Sequence, residues 1–145
     1  MALASDHAGV KATHFLSQHS ILNSSVEFLR IPEETNSYPI AALWAIEQIF
    51  NGHCEGAILI CGSGIGMSIV ANRFYFIRAA LCSCIEQGML AKVHNDANVL
   101  CFGARFFSPE NMALTIQEWL NASFEGGRHQ ERISLFAKLG SKKID

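Results

Sequence analysis

Residues 57–66 read AILICGSGIG, an apolar run of five residues followed by a loop in which three of five residues are glycine. A short apolar run that ends in glycines is typical of a buried strand and a tight turn into a helix. Such a helix begins with free N–H groups that can bind a phosphate or a transient oxyanion. The stretch therefore predicts a strand at 57–61, a ligand-binding loop and a helix at about 67–74. The alternative is a glycine turn needed only for packing.

The rest of the chain repeats this alternation of short apolar runs with helical patterns. We predict further strands at 1–5, 26–31, 77–82 and 99–102, and further helices at 8–19, 39–50, 85–93, 109–120 and 128–139. Alternation at these lengths favours an α/β fold with a parallel sheet and helices on both faces. A length of 145 residues suits one domain, so we expect residues 1–145 to form a single unit.

The composition argues against several classes of protein. Hydrophobic residues make up 50% of the chain and charged residues 17%, which suits one packed core. The formal net charge of -2 predicts no nucleic-acid partner. The sequence has no run of about 18 apolar residues, and its first residues lack the pattern of a signal peptide, so we expect no membrane association. The five cysteines lack paired CxxC spacing, which favours a reducing, cytoplasmic location without disulfides or zinc.

Candidate ligand-binding loops follow three of the predicted strands, at 6–7, 61–66 and 103–105, at the edge of the sheet where ligands bind in this class of fold. Cys61 stands directly before the glycine-rich loop, where a thiolate could take a proton from carbon or attack a carbonyl. Ser63 is near enough to carry a proton or bind a substrate oxygen. Asp6 and His7 could bind a polar ligand, or could simply cap the next helix. For Cys61 the alternative is a buried cysteine at a strand end.

His94 begins a dense polar run, HNDAN, between a predicted helix and the fifth strand. The run could be an ordinary turn, or His94 could donate and accept a proton. In a regular parallel unit this segment lies at the opposite sheet edge from Cys61. His94 could then reach a thiolate only from another subunit, or if its short helix tilts over the end of the sheet. If His94 is catalytic, we favour a site shared across a dimer interface.

Arg128 and Arg132 lie four residues apart on one face of a predicted helix and could grip a phosphate together. Arg105, after the fifth strand, could join them. The alternative is a solvated charged helix face with Glu131 as a partner.

Taken together, these residues resemble the ribose-5-phosphate isomerase B family, which includes the galactose-6-phosphate isomerase subunits. The seven matching motifs run in family order from residue 4 to about residue 133 and are Ser5-Asp6-His7-Ala8-Gly9, Tyr38-Pro39, Ile60-Cys61-Gly62-Ser63-Gly64-Ile65-Gly66-Met67-Ser68, Ile77-Arg78-Ala79-Ala80, His94-Asn95-Asp96, Asn98-Val99-Leu100 and Gly126-Gly127-Arg128-His129. One such motif is weak, whereas seven in register are specific.

The resemblance implies a three-layer α/β/α sandwich around a five-stranded parallel sheet, working as a homodimer or a tetramer with shared active sites. It implies an isomerase that interconverts ribose 5-phosphate and ribulose 5-phosphate through an enediolate, in the non-oxidative branch of the pentose phosphate pathway. It implies neither a metal nor an organic cofactor.

The resemblance also implies roles for individual residues. Cys61 would be the base that moves a proton between C2 and C1, and His94 would assist ring opening. The enediolate would be held by Ser63 and by the backbone N–H groups of Gly62, Gly64, Ile65 and Gly66. Sugar hydroxyls would contact Asp6, Tyr38 and Asn95. The phosphate would contact His7, Arg105, Arg128 and Arg132.

The sequence departs from the family pattern at a few positions. Ser37 stands where an Asp commonly precedes Tyr-Pro, and the loop at 30–36 is unusual. Met67 replaces an acid that acts as the base in some relatives, which favours Cys61. Three alternatives remain: an isomerase of galactose 6-phosphate or another hexose 6-phosphate, a non-catalytic sugar-phosphate-binding module, and a thiol-dependent hydrolase.

Overall fold

The computed structural model describes residues 1–32, 35–136 and 139, which form a parallel sheet with helices on both faces. The strands are β1 (Ala2–Ser5), β2 (Leu29–Arg30), β3 (Ala57–Cys61), β4 (Ala79–Cys82) and β5 (Val99–Gly103). The helices in the described ranges are α1 (Val10–Gln18), α2 (Ser20–Ser25), α3 (Tyr38–Phe50), α4 (Ile65–Ala71), α5 (Ile85–Asn95), α6 (Pro109–Asn121) and α7 (Arg128–Ser134). The strand order is β2-β1-β3-β5-β4 with every neighbouring pair parallel, which confirms the predicted fold class.

The central strands are buried on both faces, because alternate side chains enter two separate cores. On β3, Ile58 and Ile60 pack toward α1, α5 and α6, whereas Leu59 and Cys61 pack toward α3 and α4. A strand without a solvent face carries no polar alternation, which explains the continuous apolar run at 57–61. None of the helices in the described ranges is long and apolar enough to cross a membrane.

The turn from β3 into α4 is shorter than the sequence indicated. Gly64 adopts a φ of 76° and is the N-cap of α4, so the helix begins at Ile65 instead of near Met67. Glycine reaches this left-handed conformation without the steric penalty that a side chain would bring. The start of α4 therefore lies directly beside the end of β3.

Capping explains the ends of α5 and α6. The Oγ of Ser108 accepts a hydrogen bond from the Asn111 N–H at 3.2 Å and so caps the start of α6. Helix α5 runs two residues beyond its predicted end, because Asp96 adopts a φ of 45° and its N–H bonds back to the preceding turn. His94 consequently lies in the last turn of a helix and not in a loop.

Two further predictions differ from the structure, and one helix was missed. The strand predicted at 26–31 is reduced to the two residues of β2 at the sheet edge, and α2 was not predicted at all. The helix predicted at 128–139 ends at Ser134, and its positions 137 and 138 lie outside the described residues.

The register of the sheet decides which loops meet. Ser5 pairs with Ile60, and Cys61 pairs with Gly103, so the carboxyl ends of β1, β3 and β5 lie side by side. The segments that follow these three strands therefore share one edge of the sheet, as the position of a ligand site requires.

Candidate active site

A cavity of about 460 Å³ opens where the segments after β1, β3 and β5 meet. Its lining residues come from these segments and from the starts of α3 and α4, and they are Asp6, His7, Ala8, Tyr38, Cys61, Gly62, Ser63, Ile65, Gly66, Ile69 and Arg105. Most candidate residues from the sequence are therefore brought together here. The candidates that lie elsewhere in the chain are His94, Asn95, Arg128 and Arg132.

Cys61 borders this cavity and is only 4% exposed. Its Sγ accepts a hydrogen bond from the backbone N–H of Gly64 at 3.1 Å. This hydrogen bond fixes the sulfur beside the glycine-rich turn. In the same turn the Ile65 N–H donates a hydrogen bond to the Ser63 Oγ at 3.3 Å, which fixes the position of that hydroxyl group. The pair offers a base or nucleophile and a proton carrier.

The other cysteines are poorly suited to this chemistry. Burial raises the pKa of Cys82 to about 12 and also raises the pKa of Cys101, so both thiols stay protonated at neutral pH. Cys54 is buried and Cys84 is exposed, and neither lines the cavity. Cys61 is the cysteine that the fold presents to a ligand.

Two glycines give the cavity its walls by allowing side chains to lie against the backbone. A Cβ on Gly62 would stand 3.0 Å from the guanidinium carbon of Arg105, and a Cβ on Gly66 would stand 2.6 Å from the Tyr38 ring. The Arg105 guanidinium and the Tyr38 ring therefore flank the loop that carries Ser63. The loop thus has a guanidinium group at one end and an aromatic hydroxyl at the other, which suits a small, polar, anionic ligand.

Asp6 contributes a carboxyl group that is only 6% exposed. Its Oδ1 accepts a hydrogen bond from the Ala8 N–H at 2.9 Å, which shapes the turn after β1. The N-cap of α1 is Gly9, without a side-chain bond, so Asp6 does not cap that helix. A carboxyl group this buried needs polar partners, and a hydroxylated ligand in the cavity would supply them.

A second polar cluster forms where α5 ends and α7 begins. The rings of His94 and His129 stack with centroids 4.3 Å apart and planes 9° from parallel. The Nε2 of His129 lies 3.3 Å from Glu125 Oε2. The same Nε2 accepts a hydrogen bond from the Nε of Arg128 at 3.4 Å. Sequence reasoning noted His129 only as part of a motif, because nothing in the pattern showed that its ring would stack on His94.

The surroundings of His129 favour the neutral form of its imidazole. Burial lowers its pKa below the ordinary value, and the charges of His94 and Arg128 act in the same direction. Glu125 opposes them weakly, since its carboxylate is largely exposed. His94, Glu125 and His129 place possible metal-ligand atoms within 4.8 Å of one another. Because stacked rings direct their lone pairs side by side, a shared ion would require one ring to turn.

Within one chain the two clusters lie at opposite ends of the parallel strands. Strand β5 runs from Val99, opposite Ala57, to Gly103, opposite Cys61, a rise of about 13 Å. His94 precedes this strand, whereas Cys61 lies at its far end. Arg105, which could have joined the arginines of α7, lies instead against Gly62 at the cavity.

A larger cavity, about 770 Å³, lies between α3 and residues 72–77. Its lining is mostly apolar and aromatic, and it contains neither a cysteine nor a histidine. It also lies away from the carboxyl ends of the strands. The smaller cavity, with its thiol, carboxyl and guanidinium groups, is therefore the candidate active site.

Several known proteins are similar to this chain in sequence and in structure. A family model described as Ribose/Galactose Isomerase matches residues 1–136. Ribose-5-phosphate isomerase B of Escherichia coli strain K12 is 36% identical over 146 aligned residues, which cover 99% of this chain and 97% of that protein.

Solved structures agree with these sequence matches. Ribose-5-phosphate isomerase B of Clostridium thermocellum superposes with a TM-score of 0.90 at 31% identity, and the alignment covers 97% of each chain. The Mycoplasma genitalium enzyme, solved with bound ribulose-5-phosphate, superposes with a TM-score of 0.87 at 32% identity and covers 98% of this chain and 96% of that one. The sequence motifs, the parallel sheet and these matches lead to one conclusion: the chain belongs to the ribose/galactose isomerase family.

Proposed function

We propose that the chain is an aldose–ketose isomerase that interconverts ribose 5-phosphate and ribulose 5-phosphate, in the non-oxidative branch of the pentose phosphate pathway. The observation that carries this proposal is the hydrogen bond from the Gly64 N–H to the Cys61 Sγ, beside a cavity that also holds Asp6 and Arg105. The ribose-5-phosphate isomerase B relatives supply the substrate class.

The central step is a proton transfer between two carbons. The Cys61 thiolate takes the proton from C2 of the open-chain aldose, and the electron pair moves to form a C1–C2 enediolate. The loop N–H groups stabilise the developing negative oxygen, which is worth roughly 3 kcal/mol per donor in other enzymes. Ser63 passes a proton between the two oxygens. The Cys61 thiol then returns its proton to C1, which gives the ketose.

Residues around the cavity bind the remainder of the substrate. Asp6 and Tyr38 both line the cavity. The Asp6 carboxylate would accept hydrogen bonds from sugar hydroxyls, and the Tyr38 hydroxyl would donate or accept them. His7 and Arg105 are the candidates for phosphate contacts from the same chain, since Arg105 brings a planar guanidinium to the cavity.

The remaining groups would come from a second copy of the chain. In a homodimer, His94 of the partner subunit would donate a proton to the ring oxygen as the C1–O bond breaks. Asn95 of the partner subunit would bind a sugar hydroxyl. Further phosphate contacts would come from the partner subunit's Arg128 and the partner subunit's Arg132.

The rim of the cavity supports a shared site. Ile65 and Ile69 line the cavity and are 52% and 54% exposed, and Ile40 on the neighbouring helix is 58% exposed. Large exposed apolar side chains around a polar cavity mark an association surface. A partner seated there would cover these side chains and could bring its α5–α7 cluster to Cys61.

The direct experiment is a conversion assay. Purified protein should convert ribose 5-phosphate to ribulose 5-phosphate equally well with and without a metal chelator. Five-carbon substrate should be turned over faster than galactose 6-phosphate and other hexose 6-phosphates. Binding of ribose 5-phosphate without conversion, and without solvent proton exchange at C2, would contradict the proposal and favour a binding module.

A mixing experiment tests the shared site. Cys61→Ala and His94→Ala should each be inactive, but a mixed dimer contains one site with both wild-type residues. Random exchange of subunits should therefore restore about a quarter of wild-type activity, as two-fold symmetry requires. Mixing that restores no activity, with subunit exchange verified by mass, would place both residues in one subunit's site or remove one of them from the mechanism.

A further inference from the structure

We propose that Arg78 is a positioning residue of this active site, because its guanidinium group fixes the last turn of α5 and thereby sets where His94 and Asn95 stand. The inference rests on the function proposed above for those two residues. Arg78 itself lies just before β4 and does not line the cavity.

The guanidinium group binds the backbone at the helix end. The Nε of Arg78 donates to the carbonyl oxygens of Asn95 at 3.0 Å and Asp96 at 2.8 Å. One terminal nitrogen forms an ion pair with the Asp96 carboxylate at 2.8 Å. Carbonyls in the last turn of a helix have no partner within the helix, so these bonds satisfy groups that would otherwise face water.

The backbone of Arg78 is tied to the same segment. Its N–H donates to the side-chain oxygen of Asn98 at 2.8 Å, and the Asn98 amide donates to the Phe76 carbonyl at 2.9 Å. Its carbonyl accepts hydrogen bonds from the N–H groups of Asn98 and Val99. Residues 76–78 and 95–99 are thus joined by backbone and side-chain bonds on both sides of Arg78.

The turn that is held in this way is a strained one. Asp96 is the only non-glycine residue with a positive φ in the described part of the chain. An L residue in this conformation persists when its surroundings stabilise it. Here the Asp96 carboxylate is fixed by Arg78 on one oxygen and by Lys92 on the other. Loss of the Arg78 contacts should therefore let the end of α5 fray.

Fraying would reach the catalytic side chains directly. Asn95 supplies one of the carbonyls that Arg78 binds, and His94 is its neighbour in the same turn. Catalytic geometry is sensitive, and a displacement of about 1 Å can cost about a hundredfold in rate. Because Arg78 touches neither Cys61 nor its loop, the loss should fall on the steps that need His94 and Asn95.

The test uses two reactions of the purified protein. Isomerisation of ribose 5-phosphate requires ring opening, whereas exchange of the C1 proton of ribulose 5-phosphate with D₂O uses Cys61 and the enediolate without any ring opening. Arg78→Lys keeps the positive charge but cannot donate in the same forked geometry. We expect it to lower kcat for isomerisation about tenfold or more, and to lower the exchange rate about threefold or less.

Two further variants complete the test. Arg78→Gln, which removes the charge, should lower isomerisation more than Arg78→Lys does, provided that it folds. Lys92→Met breaks the second ion pair of Asp96 but leaves the Arg78 bonds to the backbone, so it should isomerise within about twofold of wild type. Isomerisation by Arg78→Lys within twofold of wild type, or an equal fall in both reactions, would overturn the proposal. An inactive wild-type protein would instead remove the proposed function itself.

Discussion

At the carboxyl ends of β1, β3 and β5, a cavity holds a thiol, a carboxyl group and one guanidinium group. Beyond the opposite ends of the strands, α5 and α7 bring together two imidazoles, Arg128 and a nearby carboxylate. In the proposed mechanism the first region takes a proton from carbon and binds an anion. The second region delivers a proton to oxygen and binds the phosphate.

The proposed mechanism needs groups from both regions, and one chain keeps these two regions apart. Parallel strands send their carboxyl ends to one edge, so residues placed before a strand cannot join residues placed after it. In one chain His94 and Cys61 are separated by the length of β5. A symmetric pair of chains removes this restriction, because each edge of one copy can face the other edge of its partner.

The largest expected effect is loss of the base. Cys61→Ala removes the group that takes the C2 proton, so kcat should fall about a thousandfold or more. The phosphate contacts remain, so binding of a non-reacting sugar phosphate should change little. Turnover by a coupled assay and binding by calorimetry would measure the two effects separately.

Cys84→Ala is the matched control for that experiment. Cys84 is exposed and lies outside the cavity, so its replacement should leave turnover unchanged. If Cys61→Ala retained near-normal turnover, another group would be the base and the cavity would lose its central role.

His94→Ala should separate the contributions of the two regions. Ribose 5-phosphate closes a five-membered ring, whereas ribulose 5-phosphate cannot, because its O5 carries the phosphate. Loss of a general acid typically costs about a hundredfold or more, so isomerisation of the aldose should fall by that amount. Exchange of the C1 proton of ribulose 5-phosphate in D₂O, followed by NMR, should fall far less. Equal losses in both reactions would argue against a role in ring opening.

Glycines at the starts of α4 and α7 allow a comparison of stability. Gly64 and Gly126 have φ values of 76° and 70°, so alanine at either should cost roughly 1–2 kcal/mol in backbone strain. Only at Gly64 would the Cβ also meet neighbours, at 2.5 Å from Leu81 and 2.8 Å from the Phe102 backbone. Overpacking adds about 1–3 kcal/mol there. Urea unfolding should show Gly64→Ala as the less stable variant, and equal losses would mean that the loop relaxes freely.

The sequence predicted the cavity region far better than the second region. One stretch of ten residues contains the strand, the glycines and Cys61, so it predicted both the local structure and the candidate base. The shift of α4 to Ile65 was beyond such reasoning, because it depends on the left-handed conformation of Gly64. Residues separated along the chain were harder to place, and Arg105 proved to lie at Gly62 instead of beside α7.

The sequence did not show contacts between residues that lie far apart along the chain. The stack of His94 on His129 joins residues from α5 and α7, and no periodicity in either helix indicates it. The same holds for Arg78, whose partners lie about twenty residues away along the chain. The strand predicted at 26–31 is reduced to the two exposed residues of β2, because an apolar run does not show how many of its residues pair at the edge of a sheet.

The smallest expected effect concerns the pH dependence of stability in the second region. Burial, His94 and Arg128 hold the pKa of His129 below its ordinary value of 6.5, so the unfolded chain binds a proton more readily than the native one. The native state therefore loses stability as the pH falls below about 6.5, until His129 is protonated in the native state as well. His129→Gln cannot titrate, and its free energy of unfolding should fall less between pH 7.5 and 5.0 at the same protein concentration. Glu125→Gln should extend the loss to lower pH, since the carboxylate that raises the pKa of His129 is gone. Parallel curves for wild type and His129→Gln would mean that this imidazole is solvated in the native state.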